Sequence, residues 1–465
     1  MDHKRQTDTL IGPSPSAIPA ADRLRHGSRC EVVQPGDPAY DAARKVWNGA
    51  IDKRPTAIVY CTNADDVTQA VSYAKATNSP VAVRSGGHNV AGLSVCDEGI
   101  VIDLSRMKAI EVDPVRRVVR AEAGLSLGEF DAATQAHGLA TTMGVNSDTG
   151  IAGLTLGGGF GKLGRTHGLT CDNLIAAEIV TADGRLLRAS ASEHADLFWG
   201  LRGGGGNFGI VTAFEYRLHH VGPNLLVGSV LHRYDHARGA IKFYHEFSRR
   251  APDELSVDAS LVTLPTGERA FSISACYIGD PRAGEDALTP LLKFGSPMDS
   301  SLAARTYLQI QSAGDSLFPR GRRYYWKAQF LREISNGVID ALLEIYPKAP
   351  SPSALLVFQQ VGGAIARIPS SESPYANRDA LYDCFPLAIW DSPADDQSNI
   401  RWARELWSAV SPYSTGGVYA NNLGDEGEDR VRAAYGENYA RLVALKNKYD
   451  PTNFFRLNQN IRPAT

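Results

Sequence analysis

The sequence predicts an α+β protein of two or three lobes, and three observations lead there. At 465 residues the chain is longer than one average domain. Up to about Leu218, short β-prone runs alternate with helix-period segments, and three dense glycine clusters sit between them. Beyond Leu218 the β-prone runs lengthen and alternate with helices, the texture of a sheet layered with helices.

Taken in order, residues 1–27 hold Pro, Ser and Ala and no apolar run of signal-peptide length, so they read as a disordered lead. From Ala57 to Val83 the pattern is strand, helix, strand, with Asn63 as cap and Val67, Ala70, Val71 and Ala74 at helical spacing. The run at 99–105 is a further strand, and AIEVD with RRVVRAEAG form two more, turned by Asp113-Pro114. Ser126 and Glu129 make a capping box for a helix that Gly138 closes. AAEIVTADGRLLRAS reads as a hairpin through Asp183-Gly184, followed by the amphipathic HADLFWGLRG and the strand IVTAFEYRL. In the second half, VGSVLHRY, SVDASLVTL, AFSISACYIG, LLVFQQVGGAIARI and DALYDCFPLAIW read as strands. Helices are expected near 235–249, over NGVIDALLEIY, and over RVRAAYGENYARLVALKNKYDP.

Composition narrows the function classes. A net charge of -3 leaves no electrostatic footprint for nucleic acid. No stretch approaches the ~20 apolar residues of a membrane span. The six cysteines form no CxxC pair and no zinc-ligand spacing, so no metal is expected and they read as thiols of a reducing compartment. The cytoplasm is the default location.

The glycine clusters carry the chemistry. RSGGHN, SDTGIAGLTLGGGFG and GGGGNFG expose backbone N–H groups with no side chains in the way, an arrangement suited to a pyrophosphate. Neither a dinucleotide GxGxxG after a strand nor a GxxxxGK[ST] loop fits their spacing, so a nicotinamide or P-loop reading fails.

RSGGHNVAG (84–92), TGIAGLTLGGGFG (149–161), RGGGGNFGIVT (202–212) and YDPTNFFRLNQNI (449–461) together resemble the berberine-bridge-enzyme-like branch of the vanillyl-alcohol-oxidase type of FAD proteins. The likeness runs from about Gly36 to Pro463, weakest in the middle, with bacterial secondary-metabolism members, those of the enterocin pathway among them, nearest. It implies a two-lobed FAD-binding domain at 28–218 and an α/β substrate domain with a large antiparallel sheet at 219–415. A C-terminal segment at 416–465 would return to the first domain.

By that resemblance His88 bonds covalently to the methyl on the benzenoid ring of the flavin. Relatives with a second link place a cysteine where Asn146 stands, and an amide forms no thioether, so one bond is expected. Arg84, Ser85, Gly86, Gly87 and Asn89 would line pyrophosphate and ring. Thr149, Gly150, Gly153, Leu156, Gly157 and Gly158 would form a second wall, with Thr149 beside the reactive nitrogen. Gly209, Ile210 and Val211 would sit on the adenine side, and Asn421, Asn458 and Asn460 would make polar contacts. On the substrate side Tyr419 is the candidate base, as a phenol lowered from its usual ~10. Gln360 and Tyr375 are further candidates, and amides at Gln359 and Gln360 argue against a carboxylate base in that strand.

The resemblance implies an oxidase that takes hydride from a small organic or natural-product substrate and passes electrons to molecular oxygen, as a monomer or homodimer. Two alternatives stay open: oxygenation of a polyketide-like substrate through a flavin N-oxide, and a drug-binding resistance protein of the same fold.

Overall fold

A computed structural model of the chain describes residues 30–464, so the expected lead at 1–27 lies outside the described residues. In the first sheet β1 (Glu31–Val33) pairs antiparallel with β2 (Ala57–Tyr60), while β3 (Val81–Arg84) and β4 (Ile100–Asp103) run parallel to β2, in the order β1-β2-β4-β3. Helix α1 (Ala64–Ala76) carries the chain from β2 to β3, which flank β4, and the loop at 85–99 makes the crossover from β3 back to its parallel neighbour β4. Asn63 accepts from Asp66 N at the start of α1, and the Val67, Ala70, Val71, Ala74 stripe is buried. Arg84 and Asp103 end adjacent strands side by side.

The second sheet is antiparallel. After β5 (Ile110–Asp113) and β6 (Val118–Glu122), α2 (Leu127–Gln135) opens with the full Ser126–Glu129 capping box. Then come the short β7 (Leu139–Ala140), α3 (Ile151–Leu156), and the hairpin β8 (Leu174–Thr181) and β9 (Leu186–Ser190). The hairpin turns at Gly184 with φ +84°, a backbone state that glycine takes without strain. Helix α4 (Ala195–Leu201) leads to β10 (Gly209–Arg217), and the strand order is β5-β6-β10-β8-β9. Strand β11 (His219–His220) pairs with β7.

The third sheet has eight strands: β12 (Asn224–Arg233), β13 (Leu255–Thr263), β14 (Arg269–Tyr277), β15 (Asp299–Thr306), β16 (Arg323–Trp326), β17 (Gln329–Leu331), β18 (Leu355–Gln360) and β19 (Tyr382–Trp390). All its pairs are antiparallel, in the order β15-β12-β14-β13-β18-β19-β16, with β17 also on β19. Helices at Ala237–Arg250, Pro281–Lys293, Asn336–Ile345 and Asp396–Val410 share a core with Val257, Ile273, Leu356, Phe358 and Ala388 on one face. Side chains alternate along a strand, so the other face presents a polar row. Ser301, Ser229, Ser274 and Asp258 oppose one another in register on four successive strands, and Gln359 opposes Asp383 on the next two.

Two sequence expectations change here. The strand read through VGGAIARI stops at Gln360, because Gly362 and Gly363 take φ +96° and +58° and Ala364–Arg367 makes a helical turn. The long C-terminal helix is two, α5 (Glu428–Tyr435) and α6 (Tyr439–Tyr449), parted where Gly436 takes φ +49°. Val418, Leu423, Tyr435, Leu442, Phe455 and Ile461 pack into the core that holds β2, β4, β6 and β10, so the chain's end is built into the first core. Among the described residues no helix is long and apolar enough to cross a membrane.

Candidate active site

A cleft of about 670 Å³ opens at the carboxyl ends of β2, β3 and β4, where ligands of such sheets gather. Arg84, Ser85, Gly86, Gly87, Ser147 and Asp148 are among its walls. Gly86 and Gly150 pack backbone to backbone: a Cβ on Gly86 would lie 2.3 Å from Gly150 N, so the first two glycine motifs meet only because neither carries a side chain. Arg84 does not offer a free guanidinium, being buried and paired with Asp103. The Ser85 hydroxyl donates to Ala123 O at 2.6 Å, and Asn89 Oδ1 accepts from Leu93 N at 3.2 Å. These three act on the loop's shape, and the loop's glycine backbone is what faces the cleft.

His88 is half-buried. Its Nε2 lies 2.5 Å from Asp148 Oδ1, and Trp47 stacks on the ring at 4.6 Å between centroids. Asp148 is also 2.8 Å from Arg320, a residue of the second half of the chain. Burial alone would raise the Asp148 carboxyl, but His88 and Arg320 outweigh it and hold it below the usual range. Thr149 hydrogen-bonds through its backbone to Asn146 and Leu127, and Gly150 precedes α3.

Helix α3 joins this loop to a second, buried region. Its six residues span about 9 Å. Leu156 is in the core, and a Cβ on Gly157 would sit 2.0 Å from Asn421 Oδ1. Gly158 lies against Tyr375 and Tyr419, whose rings are 6.3 Å apart within an aromatic cluster that includes Phe160 and Phe330. Cys171 is buried in the same cluster, away from Asn146 in sequence and role. The Tyr419 Oη accepts from Gly159 N and from Asn421 Nδ2, each at 2.8 Å. Two donors favour a phenolate, yet burial outweighs them and pushes the phenol up from 10.0. The expected lowering of Tyr419 is therefore corrected: this phenol stays protonated. Tyr375 is buried with its hydroxyl unpartnered, and burial raises it too.

Gln360 is likewise corrected. Its Oε1 accepts from Val257 N at 2.8 Å and its Nε2 donates to Ser248 O at 2.7 Å, so the side chain is committed to tying β18 to the strand and helix on the helix-covered side. The neighbouring Gln359 lies on the polar face. Directly opposite it stands a residue that the sequence reading missed, Asp383. This carboxyl is fully buried. Its Oδ2 accepts from Asn422 Nδ2 at 2.5 Å, while its Oδ1 has no partner. Burial pushes it up to about 7, against the lowering from Asn422 and Arg430. Asp383 is in register with Phe330 of the aromatic cluster, and Asn422 is three residues from Tyr419. An acid interrupting the apolar run of LYDCFPLAIW was the available signal.

The third glycine cluster meets the C-terminal segment. Asn207 donates to Gly204 O and Gln459 O and accepts from Ile461 N, and Asn458 donates to Gly206 O at 3.1 Å. Gly209 lets β10 approach β8, where a Cβ would lie 2.5 Å from Val180 O, and Ile210 and Val211 are core residues of that strand. Two observations fit a flavin dinucleotide here. Nothing lies within 4 Å of a Cβ built on Gly153 or Gly206, and the Oδ1 atoms of Asn458 and Asn460 are buried without partners.

Comparison with known proteins agrees. Residues 55–190 match the family model of an FAD binding domain, and residues 418–462 match that of berberine and berberine-like proteins. An FAD-linked oxidoreductase of Dictyostelium discoideum is 33% identical over 90% of this chain and 91% of its own. The (R)-6-hydroxynicotine oxidase of Paenarthrobacter nicotinovorans is 30% identical over 93% and 96%. The crystal structure of 6-hydroxy-D-nicotine oxidase from Arthrobacter nicotinovorans superposes with a TM-score of 0.88 at 27% identity, covering 96% of this chain and all of that one.

Proposed function

Because the chain belongs to the FAD-linked oxidoreductases that end in a berberine-like segment, we propose that it is an oxidase of a small organic or natural-product substrate, with its flavin tethered through His88 and molecular oxygen as electron acceptor. FAD, when bound, supplies the two-electron acceptor. Gly86, Gly87 and Gly150 would hold its diphosphate by backbone, Gly153, Asn458 and Asn460 would border its remaining length, and His88 would tether the ring system.

The observation that carries the reading is the unpartnered Oδ1 of Asp383. A carboxyl pushed up to about 7 is half ionised near neutrality and suits the proton of a carbinol or amine. Asn422 fixes its other oxygen, so the free one takes the proton. Tyr419, with both lone-pair sides occupied by donors, keeps its own O–H to orient the substrate heteroatom. The polar row from Ser301 to Asp258, continued by Gln359, offers a hydroxyl-rich floor to the rest of the substrate.

Acid precipitation followed by peptide mapping tests the tether: flavin on a peptide containing His88 supports it, and flavin freed into the supernatant overturns it. Photoreduction of the purified protein and mixing with air tests the acceptor without knowledge of the substrate. An oxidase returns to the oxidised spectrum with one peroxide per flavin; a flavin that stays reduced for many minutes overturns that half of the reading.

A further inference from the structure

The contacts of His88 say more than that it is available. Asp148 Oδ1 meets Nε2 at 2.5 Å. Arg320 binds the other Asp148 oxygen at 2.8 Å and also donates to Gly86 O at 2.8 Å and Asp148 O at 3.3 Å, so one guanidinium ties the carboxylate to the loop that carries the histidine. Trp47, itself stacked on Tyr324 at 3.8 Å, fixes the plane of the imidazole. A carboxylate can only accept, so Nε2 carries the proton, and in the neutral imidazole Nδ1 is then the nitrogen with the lone pair.

We propose that Asp148 is the positioning residue for attachment of the flavin: it holds His88 in the tautomer whose Nδ1 is nucleophilic, and takes the Nε2 proton as Nδ1 is alkylated. This rests on the tether proposed above. The bond formed joins Nδ1 to the carbon of the benzenoid-ring methyl, and the bonds broken are one C–H of that methyl and the Nε2–H. Two protons and two electrons leave, and molecular oxygen takes them up as hydrogen peroxide, so the balance closes with oxygen as oxidant. Asp148, paired with Arg320, passes its proton on to solvent through the half-exposed edge of the site.

The linkage itself is the first test. NMR of the flavin peptide from the wild-type protein is expected to show the bond at Nδ1; a bond at Nε2 overturns the proposal while leaving the tether intact. Wild-type protein with only dissociable flavin overturns the tether and this proposal with it. The second test is the rate at which acid-stable flavin accumulates on incubation with FAD. Asp148→Ala is expected to slow it about 10–100-fold, the usual cost of losing an orienting partner. Asp148→Asn still accepts from Nε2–H but takes no proton, so it falls between, and Asp148→Glu restores most of the rate. Equal rates in all four proteins overturn the proposal. Should Asp148→Ala fail to fold, the wild-type linkage and the Asn and Glu variants still decide it.

Discussion

The two ends of α3 solve opposite problems. At its start, His88, Asp148 and Arg320 form a charged, half-open group held by an ion pair between distant parts of the chain. At its end, Tyr419, Tyr375 and Asp383 are buried, and burial raises every one of them. Charge is stabilised where solvent and partners reach it and suppressed where they do not. The open end is thus suited to holding an ionised carboxylate beside a nucleophile, and the closed end to setting a carboxyl that can take up a proton near neutrality beside phenols that keep theirs. Variants that exchange these properties test the contrast.

The largest effect is expected from Asp383→Asn. Loss of a general base lowers the rate on the order of 10²–10⁴-fold, read as anaerobic flavin reduction by substrate. In the wild type that rate should rise with pH through about 7 as Asp383 ionises, and the variant should lose that rise. An unchanged rate in the variant would remove Asp383 from the mechanism. Stability gives an independent readout. A folded-state value raised from 3.8 to about 7 means that the native protein holds an extra proton between those limits. The native state then binds more protons than the unfolded state, so stability falls as pH rises across that window. Asp383→Asn removes this dependence, and its melting temperature at pH 8 should equal or exceed that of the wild type.

Next in size is a stability difference between the two ends. Tyr419→Phe leaves the buried Gly159 N–H without its acceptor and removes one of the two acceptors of Asn421 Nδ2, at a cost of ~1–3 kcal/mol. Arg320→Ala breaks an ion pair whose arginine is 47% exposed, and such pairs contribute about 0–1 kcal/mol. Chemical unfolding should therefore rank Tyr419→Phe as the more damaging change. The reverse order would mean that the open end, not the closed one, holds the site together.

Local features were legible where local physics decides them. The Asn63 and Ser126–Glu129 caps, the Asp183-Gly184 hairpin and the strands β13 and β14 all stand as read, because each is settled within a few residues. What escaped was long-range. The approach of Asp148 to His88 joins positions 60 residues apart, and Arg320 lies 172 residues beyond Asp148. Burial of Tyr419 depends on Phe160, Phe330 and Tyr375 folding over it, so the motif showed the residue but not the direction in which its pKa moves. Motif likeness located the glycine loops; only the folded chain shows that Arg84 is already committed to Asp103.

The smallest effects separate Gln359 from Gln360, and parity explains why the sequence favoured the wrong one. Adjacent residues of a strand face opposite sides of a sheet, so motif alignment accurate to one residue still exchanges a substrate-facing side chain for a structural one. Gln360→Ala strips Val257 N and Ser248 O of their partners inside the sheet and should cost ~1–3 kcal/mol in unfolding while leaving KM unchanged. Gln359→Ala leaves those bonds intact and alters the floor beside Asp383, so its expected signature is a several-fold rise in KM with stability within about 0.5 kcal/mol of wild type. If both variants shifted KM alike and neither shifted the unfolding midpoint, the assignment of the polar face as the substrate floor would fail, and the closed end would have to take its substrate from elsewhere.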